Sequence, residues 1–448
     1  MSTACFDAPA RGPVPHALPD DGPTTSMRRR RMSARLAFAV AAGLVSLQAG
    51  TAGAQETWRI GALYPVSGSL ALLGNENLAG ARIAVDLINE RGGVAGRKVE
   101  LVTGDASTPD KAQSEAERLS SLEGLKVITG TYSSGLSFAA SQVVERRGGI
   151  YWETGGIADG LTKRGFKGYF RVPFTASSNG ELAATVAKEV LASGLGKEPK
   201  DLKVMVVHED SDYGTSVASA AESKAKALGF NVPARMPYKA STPDLAPLVL
   251  RMKADAPDIV IASSYANDAL LIQRQMKQLG VNVKGFIGTG GIYGLPSFAE
   301  GLGKAVNGII DTEGSASIAG SALTADSAAL LADFKKRFQA ANGKPPSYVG
   351  TQGFVGTWLL LDQVLRKAGS LEPEKIRAAA LALDVPAGGT PLGWGVRFAG
   401  EGHAMQGQNL RAFPVAQQWQ DGKPVVIAPA GVKTAAPILI PLPAWDKR

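Results

Sequence analysis

The residues best suited to chemistry are hydroxyl-bearing side chains at a point where a predicted strand ends and a helix begins. Tyr132, Ser133 and Ser134 follow the apolar run at residues 126–129 and open a helical pattern at 134–147. Hydroxyl groups and the free N–H groups of a helix's first turn together suit an anion such as a carboxylate. A serine in this position also serves as an ordinary N-cap, so a purely structural role for Ser133 or Ser134 stays open.

Glycines and tyrosines hold similar positions after other predicted strands. Gly155 and Gly156 follow the strand at 150–152, where a missing side chain would let the backbone approach a ligand closely. Tyr213 begins a predicted helix, and Tyr265 follows a buried strand. The alternatives are a simple turn for the glycines and core packing for the tyrosines. Taken as a set, these residues predict a small-molecule site at the carboxyl ends of parallel strands.

The usual catalytic and cofactor motifs are incomplete in this sequence. The stretch at residues 131–135 lacks the first glycine of the GxSxG nucleophile elbow, and no Gly-Lys pair has the spacing of a phosphate-binding loop. The run at 288–291 begins like a dinucleotide fingerprint, but its third glycine is out of place. We therefore expect a protein that is not an enzyme and that uses no cofactor.

Cysteine, histidine and charge exclude further classes. Cys5 is the one cysteine, and the three histidines are His16, His208 and His403, which are too few for a disulfide framework or a zinc site. An α/β enzyme would have to place His208 or His403 in its cleft. The net charge is +8, but basic residues cluster only at 28–31, so we expect no nucleic-acid partner.

Residues 1–54 are interpreted as an N-terminal extension followed by a signal peptide. Four arginines at 28–31 precede an apolar run at 36–47, and small residues end at Ala54. The apolar run is 12 residues long, whereas a membrane span needs about 20. We expect cleavage after Ala54 and export of a mature chain that begins at Gln55 and carries no membrane anchor.

The elements that must position these residues alternate between short β-rich runs and amphipathic helices. This rhythm runs from residue 58 to 152 and restarts after Pro173, which predicts an α/β fold with two doubly wound lobes, each built on a parallel sheet. Three later helices lack strands between them and are assigned to the first lobe. The predicted boundaries are 55–175 with 308–390 for lobe 1, 176–307 with 391–420 for lobe 2, and 421–448 for a C-terminal tail.

Short motifs in a fixed order carry a resemblance that covers nearly the whole mature chain. They are Ile60-Gly61, Ser67-Gly68, Gly80-Ala81-Arg82, Gly92-Gly93, Tyr132-Ser133-Ser134, Tyr213-Gly214 and Pro391-Leu392-Gly393-Trp394. In these residues the chain resembles periplasmic branched-chain amino-acid-binding proteins, the Leu/Ile/Val-binding receptors of ABC importers. The resemblance implies a type I periplasmic binding protein fold, whose lobes are joined by a three-segment hinge and close on a small ligand. It also implies an ABC permease in the inner membrane as partner, and we expect a monomer.

The resemblance assigns provisional roles to individual residues. Ser133 corresponds to the serine that holds the ligand's carboxylate, and Gly155-Gly156 to the backbone segment beside it. Tyr213 and Tyr265 correspond to tyrosines that line the cleft from the second lobe. Two positions depart from the family pattern: Leu73 stands where an aromatic residue often closes the first loop, and Gly290 stands where an acid pairs with the ligand's ammonium.

The missing acid leads to an expectation about the ligand. An ammonium group buried without an anion is unfavourable, so leucine, isoleucine and valine should bind poorly unless another acid substitutes. Glu153 is the first candidate substitute and Asp268 the second. If neither faces the cleft, the ligand is an aromatic or aliphatic carboxylate, or an amide, held among tyrosines and a tryptophan: Tyr132, Trp152, Tyr213, Tyr265 and Tyr293.

The function expected from these residues is capture of a small organic acid, amide or amino-acid-like ligand for import. A ligand sensor that reports to a signalling or regulatory partner is the alternative, since the same two-lobed fold serves that purpose. The predicted cleavable signal, without an attached signalling domain, favours transport.

Overall fold

A computed structural model describes residues 57–240 and 242–448. The predicted signal peptide and its cleavage point lie outside the described residues. None of the described helices has both the length and the apolar character required to cross a bilayer.

The first sheet has five parallel strands in the order β2-β1-β3-β4-β5. Strands β3 and β4 are buried along their whole length, because helices cover both faces of a parallel sheet. This arrangement confirms the predicted parallel sheet of the first lobe. The strands are β1 Trp58–Tyr64, β2 Val99–Asp105, β3 Val127–Gly130, β4 Ile150–Glu153 and β5 Tyr169–Arg171.

The second sheet has seven strands in the order β12-β11-β10-β9-β8-β6-β7. Its strands β6 to β10 pair in parallel, whereas β11 pairs antiparallel with both β10 and β12. The strands are β6 Val204–Glu209, β7 Arg235–Tyr238, β8 Ile259–Ser263, β9 Gly285–Thr289, β10 Ile310–Glu313, β11 Val415–Gln420 and β12 Lys423–Ala428.

The described α-helices alternate with the strands up to β10, and four of them follow it. A π-helical segment, Leu359–Leu365, connects the tenth helix to the eleventh. The helices are α1 Ala71–Glu90, α2 Pro109–Glu117, α3 Ser134–Arg146, α4 Ala176–Val186, α5 Asp212–Ala227, α6 Ala246–Asp255, α7 Ala266–Gln278, α8 Pro296–Leu302, α9 Ala325–Asn342, α10 Tyr348–Trp358, α11 Arg366–Ala368 and α12 Pro373–Leu381.

Helix α10 packs closely against α1, which places it on the first lobe. The close approach depends on small residues, because a side chain on Gly80 would overlap the carbonyl group of Gly350. A side chain on Gly353 would likewise overlap the backbone of Asn77. Large aromatic residues fill the space beneath, where Trp152 packs against Phe398 at 5.3 Å between ring centroids.

The chain passes between the two sheets three times, at residues 172–175, 314–324 and 382–414. These crossings differ from the predicted lobe boundaries in three places. Strand β10 belongs to the second sheet, although residues 308–390 were assigned to lobe 1. Strand β12 belongs to the same sheet, although it falls in the predicted tail. The third difference lies in the last crossing.

The last crossing runs along the first lobe before it enters the second sheet. Residue Gln408 forms a parallel bridge with Arg171, and the Asn409 amide donates to the carbonyl oxygen of Val172 at 3.0 Å. The Arg171 guanidinium, which is completely buried, donates to Gln408 in return. Residues 407–409 therefore form a strap across the first crossing, whereas the sequence prediction placed 391–420 in lobe 2.

Gly407 is the residue that allows this strap to lie so close. Its φ is +78°, and a side chain there would overlap the carbonyl oxygen of Tyr169, whereas Gly402 has φ +79° with open space around it. We predict that Gly402→Ala lowers the free energy of unfolding by about 1–2 kcal/mol, the strain of a left-handed backbone. Gly407→Ala should cost about 1–3 kcal/mol more because of the overlap. Urea denaturation measures both, and equal losses would contradict this role for Gly407.

Candidate functional site

A cavity lies between the two lobes, where the carboxyl ends of strands from both sheets meet. Its lining comes from both lobes and combines hydroxyl groups, tyrosines and glycines, which marks it as the candidate site for a small ligand. Six residues of the first lobe and five of the second line it. They are Tyr132, Ser133, Ser134, Gly155, Ile157 and Gln352 from the first, and Tyr213, Tyr265, Gly290, Gly291 and Glu313 from the second.

Ser133 and Ser134 lie side by side but differ in what their hydroxyls do. Ser133 precedes helix α3 with an extended backbone, and its side chain makes no capping hydrogen bond. The Ser134 hydroxyl instead accepts a hydrogen bond from the Ala158 N–H at 3.0 Å, which fixes the loop after β4. The hydroxyl of Ser133 is therefore the one left for a ligand, at the amino end of α3, where the first-turn N–H groups have no partner within the helix.

Glycines after β4 form the wall beside Ser133. Gly155 lines the cavity, and a side chain on it would meet the Cα of Tyr132 at 2.7 Å. Gly156 is buried behind this wall and does not line the cavity. A Cβ atom at Gly156 would lie 3.1 Å from the Ser137 side chain. The backbone of this segment thus approaches the cavity at Gly155, and Gly156 supports it.

Glu153 holds the glycine segment in place and does not face the cavity. Its Oε1 accepts hydrogen bonds from the N–H groups of Gly155 and Gly156, both at 2.6 Å, and Ser137 donates to its other oxygen. Burial raises the pKa of Glu153 to about 7. Glu153 was expected to supply the missing acid of the cleft, but its carboxyl group turns away from the cavity and back onto its own loop. It does so because the N–H groups of that loop need an acceptor.

Tyrosines form the second-lobe wall. The rings of Tyr213 and Tyr265 lie 5.8 Å apart at an angle of 41°, and the Tyr213 hydroxyl donates to Thr289 Oγ1 at 3.4 Å. Both phenols line the cavity together with Ser133. Burial raises the pKa of both phenols, so they are neutral hydrogen-bonding groups. The structure places both tyrosines, together with Tyr132, at the cavity.

Four residues predicted to face the cavity belong to the core instead. Leu73 is buried within α1, and the Trp152 indole donates to the carbonyl oxygen of Gly356 at 2.8 Å. Tyr293 is completely buried, packs against Phe298 at 5.0 Å and donates its hydroxyl to Ser264 at 3.0 Å. Asp268, the second candidate acid, is buried in α7 and does not line the cavity. Apolar neighbours and internal partners hold these side chains away from it.

Gly290 lines the cavity with a backbone that excludes a side chain. Its φ is +106°, and a Cβ there would lie 2.8 Å from the carbonyl oxygen of Ser264 and 3.0 Å from the Tyr213 hydroxyl. Its N–H donates to Glu313 Oε2 at 3.1 Å. An acid is therefore present beside Gly290, although it comes from another strand.

Glu313 is the functional candidate that the sequence analysis missed. It is the last residue of β10, it is buried, and its Oε2 also accepts from the Asn179 amide at 3.4 Å. Burial, followed by the nearby Asp311, raises the pKa of Glu313 well above its usual range. The sequence did carry a signal for Glu313. The short run at 308–310 is followed by Asp-Thr-Glu, and strands β4 and β6 also end in a glutamate. Ile157, Gly291 and Gln352 were missed as well.

Catalytic and metal-binding groups are not collected here. His208 lies on β6 with its ring Nδ1 2.8 Å from the carbonyl oxygen of Glu209, and neither it nor His403 lines the cavity. Within the part of the chain that the structure describes, no three His, Cys, Asp or Glu side chains are grouped to hold a metal ion.

Comparisons with known proteins agree with this geometry. A family model described as periplasmic binding protein matches residues 57–423. Leu/Ile/Val-binding protein homolog 8 of Brucella abortus (strain 2308) is 39% identical over 379 residues, which cover 84% of this chain and 92% of that protein. A leucine-binding protein of Thermotoga maritima has a TM-score of 0.70 at 22% identity, and a benzoate-bound solute-binding protein of Rhodopseudomonas palustris has 0.69 at 21%. The match to the leucine-binding protein covers 83% of this chain, and the match to the benzoate-bound protein covers 85%. Each match covers 98% of the other protein's chain.

The buried carboxyl of Glu153 generates a pH prediction. Folding raises its pKa from 4.5 to about 7, so its contribution to stability is full below pH 4.5 and is lost as the pH rises through 7. We expect Glu153→Gln, which cannot ionise, to gain stability relative to the unchanged protein between pH 5 and 8, by about 3 kcal/mol. Melting temperatures across this range measure the difference.

Glu123→Gln is the control, because Arg59 holds the pKa of the exposed Glu123 carboxyl below its usual value. This variant should show no gain as the pH rises. A difference between Glu153→Gln and the unchanged protein that stays constant with pH would contradict the buried, partly protonated state of Glu153.

Proposed function

The chain belongs to the periplasmic binding protein family, and from this premise we propose that it is the solute-binding receptor of an ABC importer. The observation that carries the proposal is the cavity, whose lining comes from both lobes at the carboxyl ends of their strands. A ligand in it would touch both lobes at once, so its binding favours the closed arrangement. The receptor then presents the closed form to a permease.

The first-lobe side of the cavity supports a carboxylate as the ligand's anchor. Ser133 has a hydroxyl without a capping role, and the first-turn N–H groups of α3 lie beside it. A helix amino terminus stabilises negative charge, and hydrogen bonds to a charged group are stronger than neutral ones. We infer that the ligand's carboxylate binds there, with Gly155 leaving room for the close approach.

The solved relatives support the carboxylate and leave the rest of the ligand open. One binds leucine by its name and another holds benzoate, and both of these ligands carry a carboxylate. Their identity to this chain, 22% and 21%, transfers only the fold, so the remainder of the ligand has to be argued from this chain's own side chains. The curated Brucella relative is named for leucine, isoleucine and valine, which makes amino acids the first ligands to test.

The location follows from the family and from the first 54 residues. We propose that the protein acts in the periplasm after removal of the segment that ends at Ala54, as a monomer that meets its permease in the inner membrane. The basic run at 28–31 and the short apolar run behind it support export.

A thermal-shift screen tests the receptor function. Aliphatic and aromatic amino acids, benzoates, short aliphatic acids and the matching amides are each added to the purified mature protein. Because a ligand that binds only the folded state raises the melting temperature, at least one carboxylate should produce a concentration-dependent rise. The amides, which lack the anion, should produce smaller rises than the matching acids. A screen in which none of the carboxylates raises the melting temperature would contradict the proposed function.

The anchor has its own test in Ser133→Ala. Loss of the hydroxyl should weaken binding of the carboxylate found in the screen by about 1–3 kcal/mol, because the hydrogen bond is to a charged group. Stability without ligand should hardly change, since the Ser133 side chain caps nothing. Calorimetry and ligand-free melting curves measure the two effects.

Ser134→Ala provides the contrast. It removes the acceptor of the Ala158 N–H and should lower the ligand-free melting temperature. An unchanged affinity in Ser133→Ala would remove this serine from the site, and a stability loss as large as that of Ser134→Ala would make its role structural.

A further inference from the structure

Gln352 is a buried polar side chain at the cavity whose hydrogen-bonding groups the protein leaves unused. It belongs to α10 in the first lobe, it lines the cavity, and 3% of its surface is exposed. Its side-chain amide makes no hydrogen bond to any residue that the structure describes. A glutamine amide has two N–H donors and a carbonyl acceptor, and buried groups of this kind nearly always have partners. The position of the amide therefore points to a partner inside the cavity.

Other buried glutamines show what a structural role requires. The Gln408 amide donates to the carbonyl oxygen of Pro173 at 2.8 Å, and the Gln417 amide donates to Asp311 at 2.9 Å. Both glutamines hold two segments of the chain together, and neither lines the cavity. Gln352 joins its helix to no other segment, so a structural role does not account for its amide.

The face of α10 that carries Gln352 is turned toward the second lobe. Tyr348 lies one turn earlier on that face, and its ring fills the space that a side chain on Gly314 would need. Val349 lies three residues before Gln352, and its side chain is 3.0 Å from the position of a Cβ on Gly291, which lines the cavity from the second lobe. The Gln352 amide is thus enclosed where the lobes meet, and bulk water does not serve as its partner.

The remainder of the lining agrees with a ligand whose body is polar. Ile157 is the one aliphatic side chain among the described residues that line the cavity, and glycines, serines and tyrosines make up most of the others. A pocket for a branched aliphatic group is lined mainly by apolar side chains. Such a group beside Gln352 would leave the amide buried and unbonded, which is unfavourable.

We propose that Gln352 selects the ligand by hydrogen-bonding an uncharged polar group, a hydroxyl or a carboxamide, in addition to the carboxylate held at Ser133. The proposal rests on the proposed function and names the class of carboxylate that the receptor captures. Because the amide is neutral, it pairs donor with acceptor on a neutral group without burying a further charge. A ligand with a methyl group in the same place leaves the amide unpaired, and this discriminates against purely aliphatic acids.

Matched pairs of carboxylates test the proposal on the unchanged protein. Three pairs have nearly the same shape: threonine with valine, asparagine with leucine, and succinamate with 4-methylpentanoate. A fourth pair, 3-hydroxybenzoate with benzoate, differs by one hydroxyl on a ring. In at least one pair, calorimetry should find the polar member about 10-fold tighter, because the apolar member leaves a buried amide without its hydrogen bond.

The Gln352→Met variant tests whether this residue is the cause. Methionine keeps the length of glutamine but has no amide, so the preference for the polar member should fall by about 10-fold, while the apolar member binds as tightly as before or more tightly. The ligand-free melting temperature should stay the same or rise, because the variant removes an unbonded buried amide. A structural hydrogen bond at Gln352 would give a lower one.

Gln273→Met is the matched control. Gln273 is a buried glutamine of α7 whose amide nitrogen also has no hydrogen bond to the described residues, but it does not line the cavity. This variant should leave the preference between the members of each pair unchanged.

The possible failures are distinguishable. The assignment of Gln352 is overturned, while the receptor function stands, if the apolar members bind as tightly as the polar ones or if Gln352→Met retains the preference. It is also overturned if every carboxylate that binds lacks both a hydroxyl and a carboxamide. If no carboxylate of the pairs or of the screen binds the unchanged protein, the proposed function itself fails. The comparison of pairs needs no variant, so a folding defect in Gln352→Met would not remove the test.

Discussion

A carboxylate buried at the end of a strand must find hydrogen-bond donors, and this requirement shapes the whole cleft. Three strands end in such a residue. Glu153 closes β4 and takes the N–H groups of Gly155 and Gly156, and Glu209 closes β6 and takes those of Ser211 and Gly214. In both cases the acid folds the following loop around itself, which places a glycine or a tyrosine at the cavity.

The third strand-end acid differs because its donors come from other elements. Glu313 takes the N–H of Gly290 from the β9 loop and the amide of Asn179 from α4, and the loop that follows it contributes neither. Its own loop turns away toward the first lobe, where a side chain on Gly314 would overlap the ring of Tyr348. The Glu313 carboxyl group is thereby left at the cavity wall, whereas Glu153 and Glu209 are enclosed by their loops. The same residue type thus serves two purposes, decided by where the donors come from.

This distinction explains what the sequence could and could not predict. Strand ends are visible in a sequence because apolar runs stop there, so Ser133, Gly155, Tyr213 and Tyr265 were found at the cavity. The direction of a side chain at a strand end depends on partners distant in sequence, and for that reason Glu153 was taken for the cleft acid. Tyr293 was misplaced for the same reason, since Phe298 and Ser264 hold it in the core.

The missed strands have a related cause. Up to β9, most strands are followed by a helix that returns the chain to the same sheet, and this local rhythm can be followed by eye. Strand β10 is followed by a crossing into the first lobe, and β11 enters the sheet only after four helices have packed elsewhere. Sheet membership there depends on pairing between residues about 100 positions apart, such as Ile310 with Gln418. Periodicity carries no information on such pairing, so Glu313 went unrecognised together with its strand.

The division of the cavity lining between the two lobes has a consequence for closure. Ser133 lines it from the first lobe, and Glu313 lines it from the second. A ligand held by one lobe alone would leave the other lobe's share of the lining in water. Closure removes the polar groups of both walls from solvent, and away from water their interactions with a ligand strengthen. Contact with both lobes is therefore what distinguishes a ligand that closes the protein from one that leaves it open.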